Sequence, residues 1–173
     1  MSQTVEQALE LIRENRPEST DRALALLQNT VYSFSMKVCG HSRLVGPSGR
    51  VIAVDVQPKM IDRLKRRAAK AGLLDRVDAR VAPTESMGIM DLHGSIDFTL
   101  AFAVVHEFPD AGRFFAEVAA ASKSGATVLV SEPSGHVKTA AFDSELRDGA
   151  GVGLRVVDRP SIRRSHAALL KKS

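Results

Sequence analysis

The sequence predicts a three-layer α/β fold, with a sheet that is mostly parallel and carries an antiparallel C-terminal strand. Short apolar runs rich in β-branched residues alternate with helical patterns along most of the chain, which favours a parallel sheet covered by helices. Residues 50–56 (RVIAVDV) are almost wholly apolar, as expected for a strand buried on both faces. The last two predicted strands, residues 154–157 and 162–170, are joined by a short turn at Arg159-Pro160, which makes this pair antiparallel.

The first 27 residues predict two helices. Residues 21–27 are expected to form the second of them, capped by Ser19 or Thr20. The first ends before Pro17, and its apolar residues lie at helical spacing: Val5, Ala8, Leu9 and Ile12.

The central segments continue the alternation of strand and helix. Pro58 follows the strand at residues 50–56 and is expected to occupy the first position of a helix that ends at Gly72. Asp110 is expected to cap a helix carrying Phe114, Phe115 and Val118, and a further helix is predicted over residues 139–147. Three more strands are predicted, at residues 77–81, 96–102 and 126–132.

Length and composition suggest one cytoplasmic domain. A chain of 173 residues suits a single core, so we expect one domain over residues 1–173, with residues 1–42 as a divergent N-terminal part. The first 16 residues are too charged for a signal peptide. The longest apolar stretch, residues 96–105, is too short to cross a bilayer. We therefore predict a cytoplasmic protein without a membrane segment.

Charge and metal-ligand patterns indicate neither nucleic acid nor a metal. The net charge is +4, but the basic clusters at residues 59–70 and 159–172 are not interleaved with aromatic residues, so platforms for base stacking are scarce. We interpret these clusters as solvent-exposed faces. Cys39 is the single cysteine, and the five histidines lack metal-ligand spacing, so no metal site is expected.

Six segments, taken in order, form a recognisable pattern: residues 46–57 (GPSGRVIAVDVQ), 71–77 (AGLLDRV), 98–109 (FTLAFAVVHEFP), 128–133 (VLVSEP), 153–157 (GLRVV) and 165–170 (SHAALL). Together they resemble the class I methyltransferases that depend on S-adenosylmethionine (SAM), which have a Rossmann-like fold. The resemblance runs from about residue 43 to the C-terminus.

The resemblance implies a set of cofactor-binding residues at the carboxyl ends of the strands, where doubly wound sheets bind ligands. Asp55 would accept hydrogen bonds from the ribose hydroxyls of SAM, and Val56 would lie against the adenine. Ala82 and Thr84 would pass the adenine edge, and Ala101 would run under the methionine part. From the residues alone, Asp55 could instead merely favour the dipole of the helix that starts at Pro58.

The resemblance also implies an acceptor side with two candidate catalytic residues, His106 and Glu107. His106 could act as a base or an orienting group, or the pair could simply begin a helix. Glu132 is a further candidate lining residue. A small-molecule substrate is expected, while the identity of the acceptor and the oligomeric state stay open.

Residues 28–42 depart from the family pattern. A Gly-x-Gly-x-Gly loop would lie about 20 residues before Asp55, yet the first glycine in the chain is Gly40. Residues 32–38 alternate between apolar and polar, which is typical of a strand with one solvent-exposed face. We expect residues 28–42 to be the least well-packed part of the core.

Three explanations are open for this departure: a non-catalytic pseudo-methyltransferase acting as a binding or scaffold module, weak SAM binding through the remaining pockets, or a frameshift within residues 28–42. A nicotinamide-dependent oxidoreductase is an alternative enzyme. It also needs the glycine loop, however, and the antiparallel terminal pair disfavours it.

Overall fold

The structure, a computed structural model, describes the backbone of residues 22–27 and both backbone and side chains of residues 48–173. Within these residues the chain forms one seven-stranded sheet. Its strands are β1 (Arg22–Leu27), β2 (Arg50–Asp55), β3 (Val77–Val81), β4 (Ile96–Phe102), β5 (Ser122–Pro133), β6 (Leu154–Asp158) and β7 (Ser165–Lys172).

In the described residues, α-helices connect β2 to β3, β4 to β5 and β5 to β6. The α-helices of the described part are α1 (Pro58–Lys70), α2 (Ala111–Ala121) and α3 (Thr139–Gly151), and short 3-10 turns follow at Leu74–Arg76, Met90–Leu92 and Val105–Glu107. Asp110 caps α2 as predicted, because its side chain accepts the backbone N–H of Arg113. No helix within residues 48–173 is both long and apolar enough to cross a membrane.

The strand order is β3-β2-β1-β4-β5-β7-β6. The first five strands are mutually parallel, whereas β7 runs antiparallel to both β5 and β6. The predicted mostly parallel sheet with an antiparallel C-terminal strand is therefore confirmed. The chain order reverses on either side of β1, and such a switch point opens a crevice at the carboxyl ends of the strands.

Strand β2 shows why the fold has three layers. Its residues alternate between the two faces of the sheet, so that Val51 and Ala53 pack in the same core as Ile61 of α1. Ile52 and Val54 pack in the second core, which lies under α2 and α3 and contains Phe114, Phe115 and Phe142. Helices thus cover both faces, and this explains the nearly continuous apolar sequence of β2.

The prediction of a helix over residues 21–27 was wrong. The structure forms β1 (Arg22–Leu27) there, paired in parallel with β2 on one side and β4 on the other. A short run of alanine and leucine suits both a helix and a buried strand, and the hydrogen bonds available from two neighbouring strands decide between them. The predictions for residues 5–12 and for the segment 28–42 lie outside the described residues.

Other differences concern element ends. Strand β5 begins at Ser122 rather than at residue 126, because Ser122 already pairs with Ile96 before a bulge in the ladder. Helix α3 continues to Gly151. The last strand is Ser165–Lys172, slightly later than the predicted residues 162–170.

Candidate active site

A cavity of about 180 Å³ lies at the carboxyl ends of the strands on the β2–β3 side of the switch point. Five residues singled out in the sequence line it: Asp55, Val56, Ala82, Thr84 and Glu107. They come from the end of β2, the loop after β3 and the segment after β4. The parallel sheet brings these three segments together, because all of its strands end at the same edge.

Asp55 is the charged residue at the end of the buried strand β2. Only 6% of it is exposed, and its Oδ1 accepts the backbone N–H of Gln57 at 2.7 Å. The other carboxylate oxygen has no hydrogen-bond partner among the residues that the structure describes. Burial raises the pKa of Asp55 above its ordinary value, the hydrogen bond from Gln57 lowers it, and the nearby charge of Glu107 raises it further.

The loop after β3 forms the opposite wall. The backbone N–H of Ala82 donates to the carbonyl of Asp55 at 3.0 Å, so the loop is joined to the end of β2. Glu117 of α2 accepts hydrogen bonds from the Ser86 hydroxyl and from the backbone N–H of Met87. The loop is therefore held at both ends, and the wall containing Thr84 is fixed in position.

The other lining residues, mostly apolar, were not predicted as site residues: Val54, Ser86, Met87, Val104, Phe108 and Pro109. Phe108 packs edge-on against Phe114 of α2, with ring centroids 5.1 Å apart. The sequence marks residues 98–109 as part of the family resemblance, but which of them face the cavity depends on the turn at Val105–Glu107.

Three of the predicted site residues, Ala101, His106 and Glu132, do not line the cavity. Ala101 is fully buried in the core beneath β4. His106 lies beside the cavity, with its Nε2 atom 3.9 Å from Oε1 of Glu107. The site is thus a cavity with Asp55 at its base and Glu107 in its wall, and a histidine next to that wall.

His106 contacts a buried carboxylate through its other ring nitrogen. Nδ1 of His106 makes a short contact with Oε2 of Glu132, and the Glu132 side chain is fully inaccessible. Oε1 of Glu132 accepts the backbone N–H groups of Val104 and Val105 at 3.0 and 2.9 Å. Glu132 thereby fastens the segment after β4 to the end of β5. It was predicted to line the pocket, but it serves as the partner of His106.

The segment after β4 bends sharply to reach Glu132. Ala103 has a φ of 54°, a left-handed conformation that costs a non-glycine residue of the order of 1 kcal/mol. Its backbone N–H donates to the carbonyl of Ser131 at 2.7 Å. Hydrogen bonds to the end of β5 thus hold a strained turn directly before His106.

Glu145 of α3 belongs to the same polar cluster. It was not predicted as a site residue, because in the sequence it resembles an ordinary surface residue of a helix. Burial, followed by the charge of Glu132, raises its pKa to about 7, while His106 opposes that shift. Its Oε2 atom is buried and has no hydrogen-bond partner among the described residues. No group of histidine, cysteine and acidic residues suited to a metal ion occurs in the described part of the chain.

Solved structures share this fold. A SAM-dependent methyltransferase from Aquifex aeolicus superposes with a TM-score of 0.77 at 17% identity, covering 98% of this chain and 89% of that one. The geranyl diphosphate C-methyltransferase from Streptomyces coelicolor A3(2), in complex with Mg²⁺, geranyl diphosphate and S-adenosyl-L-homocysteine, gives 0.74 at 13% identity, with coverages of 97% and 77%. The [4+2]-cyclase SpnF gives 0.75 at 14% identity, with coverages of 96% and 81%.

Sequence comparison identifies the family. No curated protein is significantly similar in sequence to this chain. A family model described as a methyltransferase domain, however, matches residues 37–130, more than half of the chain. This match runs through β2, β3 and β4 into β5 and contains every residue that lines the cavity. The family's cofactor is S-adenosylmethionine. The chain belongs to the class I SAM-dependent methyltransferase family.

Proposed function

We propose that this protein transfers a methyl group from SAM to a small-molecule acceptor. The observation that carries the proposal is the buried carboxylate of Asp55, which opens onto a cavity at the switch point with one oxygen unpartnered by described residues. A buried carboxylate without enough donors is costly to maintain. Two vicinal hydroxyl groups, such as those of a ribose, would supply the missing hydrogen bonds.

The lining residues fit the nucleoside part of this cofactor. Asp55 would bind the ribose hydroxyls, Val56 would pack on the adenine, and Ala82 with Thr84 would contact its edge. Ala101 would support the methionine part through its backbone, because its side chain is buried in the core. The cavity of about 180 Å³ is smaller than the roughly 300–1,000 Å³ of typical ligand sites. We therefore assign only the nucleoside part of SAM to the described lining.

The acceptor side is assigned to His106 and Glu107. When bound, SAM supplies a methyl group already activated on a sulfonium, so the protein has to align the acceptor and remove its proton. His106 lies next to Glu107 in the cavity wall, and its side chain is about 25% accessible. An acceptor at the cavity mouth could therefore reach its ring.

The acceptor we propose is a small molecule. A structural neighbour, the Streptomyces geranyl diphosphate C-methyltransferase, was solved with a small substrate bound. In this protein the chain has one tyrosine and no tryptophan, so stacking platforms for nucleic acid are scarce. We also propose that residues 1–173 act as a single domain in the cytoplasm.

A second candidate is a non-catalytic binding module on the same fold. It is favoured by the position of the first glycine, Gly40, since the family's glycine-rich loop would precede it. The [4+2]-cyclase SpnF among the neighbours illustrates that this fold is not tied to one reaction.

Calorimetric titration of the full chain with SAM, S-adenosylhomocysteine and NAD⁺ tests the proposal. We expect saturable binding of SAM and S-adenosylhomocysteine, with a matching rise in Tm because a ligand of the native state stabilises it, and no response to NAD⁺. Absence of SAM binding would contradict the proposal. Incubation with SAM labelled in its methyl group and small-molecule extracts then separates the candidates: transfer supports the enzyme, and binding without transfer supports the module.

A further inference from the structure

Glu132 is a fully buried carboxylate whose hydrogen bonds all go to one segment of the described chain. It accepts two backbone N–H groups, from Val104 and Val105, on Oε1, and it contacts Nδ1 of His106 through Oε2. Burying a charge is costly unless donors surround it. The three donors therefore explain why a carboxylate is tolerated here, and they also fix which oxygen faces the histidine.

This arrangement determines the tautomer of His106. An ionised carboxylate can only accept hydrogen bonds, so Nδ1 must carry the proton that points to Glu132. In the neutral ring the lone pair then resides on Nε2. Nε2 lies on the side of Glu107, at 3.9 Å from its Oε1, and Glu107 lines the cavity.

We propose that Glu132 is a positioning residue, which holds His106 in the Nδ1–H tautomer so that the Nε2 lone pair faces the cavity as a base. The proposal deepens the proposed function, on which it rests for the role of the cavity. It implies an acceptor whose reacting group loses a proton, such as a hydroxyl. As the acceptor oxygen bonds to the methyl carbon, the carbon–sulfur bond breaks with its electron pair remaining on sulfur, and the oxygen's proton passes to Nε2.

The surroundings of His106 can accommodate the positive charge that the ring then gains. Glu132 faces it from β5, Glu107 from its own turn and Glu145 from α3, with Asp148 also near Glu145. The ring of His136 lies parallel to that of His106, with centroids 6.4 Å apart. Ionised Glu145 and protonated His106 stabilise each other, as the opposing effect of His106 on the Glu145 pKa indicates.

An isosteric variant separates positioning from mere structural support. In Glu132→Gln, the backbone N–H groups of Val104 and Val105 still require an acceptor, so the amide oxygen should take the place of Oε1. The amide NH₂ would then face His106, and Nδ1 could only accept from it. The ring would therefore switch to the Nε2–H tautomer, which presents a donor to the cavity.

Long-range ¹H–¹⁵N NMR of the full chain, labelled on histidine, reads the tautomer directly at a pH where the ring is neutral. His106→Gln assigns the signals. We expect Nδ1–H in the wild type, Nε2–H in Glu132→Gln, and Nδ1–H in Glu145→Gln, the matched control that removes a neighbouring carboxylate without touching Nδ1. An Nε2–H or mixed tautomer in the wild type overturns the proposal, which this measurement decides even if Glu132→Gln does not fold. Retention of Nδ1–H in folded Glu132→Gln overturns it as well.

The same samples distinguish this result from failure of the proposed function. Calorimetry with SAM should give the same affinity, within about twofold, for the wild type and Glu132→Gln, because Glu132 does not line the cavity. If neither protein binds SAM, the proposed function fails whatever the tautomer. If the wild type alone binds SAM, Glu132 shapes the cofactor site and the positioning role is refuted.

Discussion

Asp55 and Glu132 are both buried carboxylates at the carboxyl edge of the sheet, yet their surroundings differ. Asp55 is 6% exposed and accepts one N–H from its own chain, and it faces a cavity. Glu132 is 0% exposed and is surrounded by two backbone donors and a histidine ring. Within the described residues, Glu132 is satisfied by the protein itself, whereas one oxygen of Asp55 has no hydrogen-bond partner and could accept one from a ligand. Loss of Glu132 should therefore reduce stability, and loss of Asp55 should reduce binding.

The largest expected effect is on stability, in Glu132→Ala. Removing the carboxylate leaves the buried N–H groups of Val104 and Val105 without an acceptor, and each such group costs about 1–3 kcal/mol. We expect the free energy of unfolding to fall by about 3 kcal/mol in urea denaturation. Glu132→Gln is the matched control, with a loss of about 1 kcal/mol or less, because its amide oxygen can accept both bonds. Equal losses in the two variants would show that the backbone bonds do not account for the effect.

The next effect is on binding, in Asp55→Ala. A carboxylate that accepts two ribose hydroxyls is expected to contribute about 3 kcal/mol, so the SAM affinity should fall about 100-fold. Calorimetry measures the change. Asp75→Ala is the control, because Asp75 is exposed in the turn before β3, at the opposite edge of the sheet. An unchanged SAM affinity in Asp55→Ala would mean that the ribose contact is misplaced.

The Asp55 side of the site could be predicted from sequence because it depends on strand ends. Residues 50–56 read as a buried strand that ends at Asp55, and the family resemblance implies that Val56, Ala82 and Thr84 bind the same cofactor. The two agree, because parallel strands end at one edge of the sheet. All four line the same cavity. Their roles toward a cofactor stay predictions.

The Glu132 side could not be predicted in the same way. The pairing of His106 with Glu132 depends on the bend at Ala103. The positive φ of Ala103 cannot be predicted from sequence, because alanine rarely adopts it. Glu145 reaches the cluster from α3, far along the chain. Strand β1 was mistaken for a helix for a related reason: alanine and leucine are good helix formers, and only pairing with β2 and β4 makes Arg22–Leu27 a strand.

A smaller effect on the free energy of unfolding is expected for Glu145→Gln. Glu145 is a third carboxylate to set beside Asp55 and Glu132. The folded-state pKa of about 7 lies above the ordinary 4.5, so the folded protein binds more protons between these values and loses stability as the pH rises through them. Discounted for partial exposure, the loss is about 1 kcal/mol. The variant should be more stable than the wild type by that amount above about pH 7, and equally stable below the ordinary pKa. A constant difference at all pH values would contradict this account.

The smallest effect is a gain in stability from Asp55→Asn. It contrasts the two carboxylates most directly, because no such gain is expected at Glu132. Burial and the charge of Glu107 raise the pKa of Asp55 above its ordinary value. Stability is therefore lost as the pH rises from the ordinary pKa through the folded-state pKa, and the full loss is present at neutral pH. Asparagine is never ionised, and its side-chain oxygen can still accept the N–H of Gln57. The Tm of Asp55→Asn at neutral pH, measured by calorimetry without ligand, should therefore exceed that of the wild type, and the excess should vanish in acid. In Glu132→Gln the Tm should not rise, because the donors around Glu132 already compensate its charge. A lower Tm in Asp55→Asn would mean that Asp55 supports the fold as Glu132 does, and that its placement at the cavity reflects packing rather than a ligand.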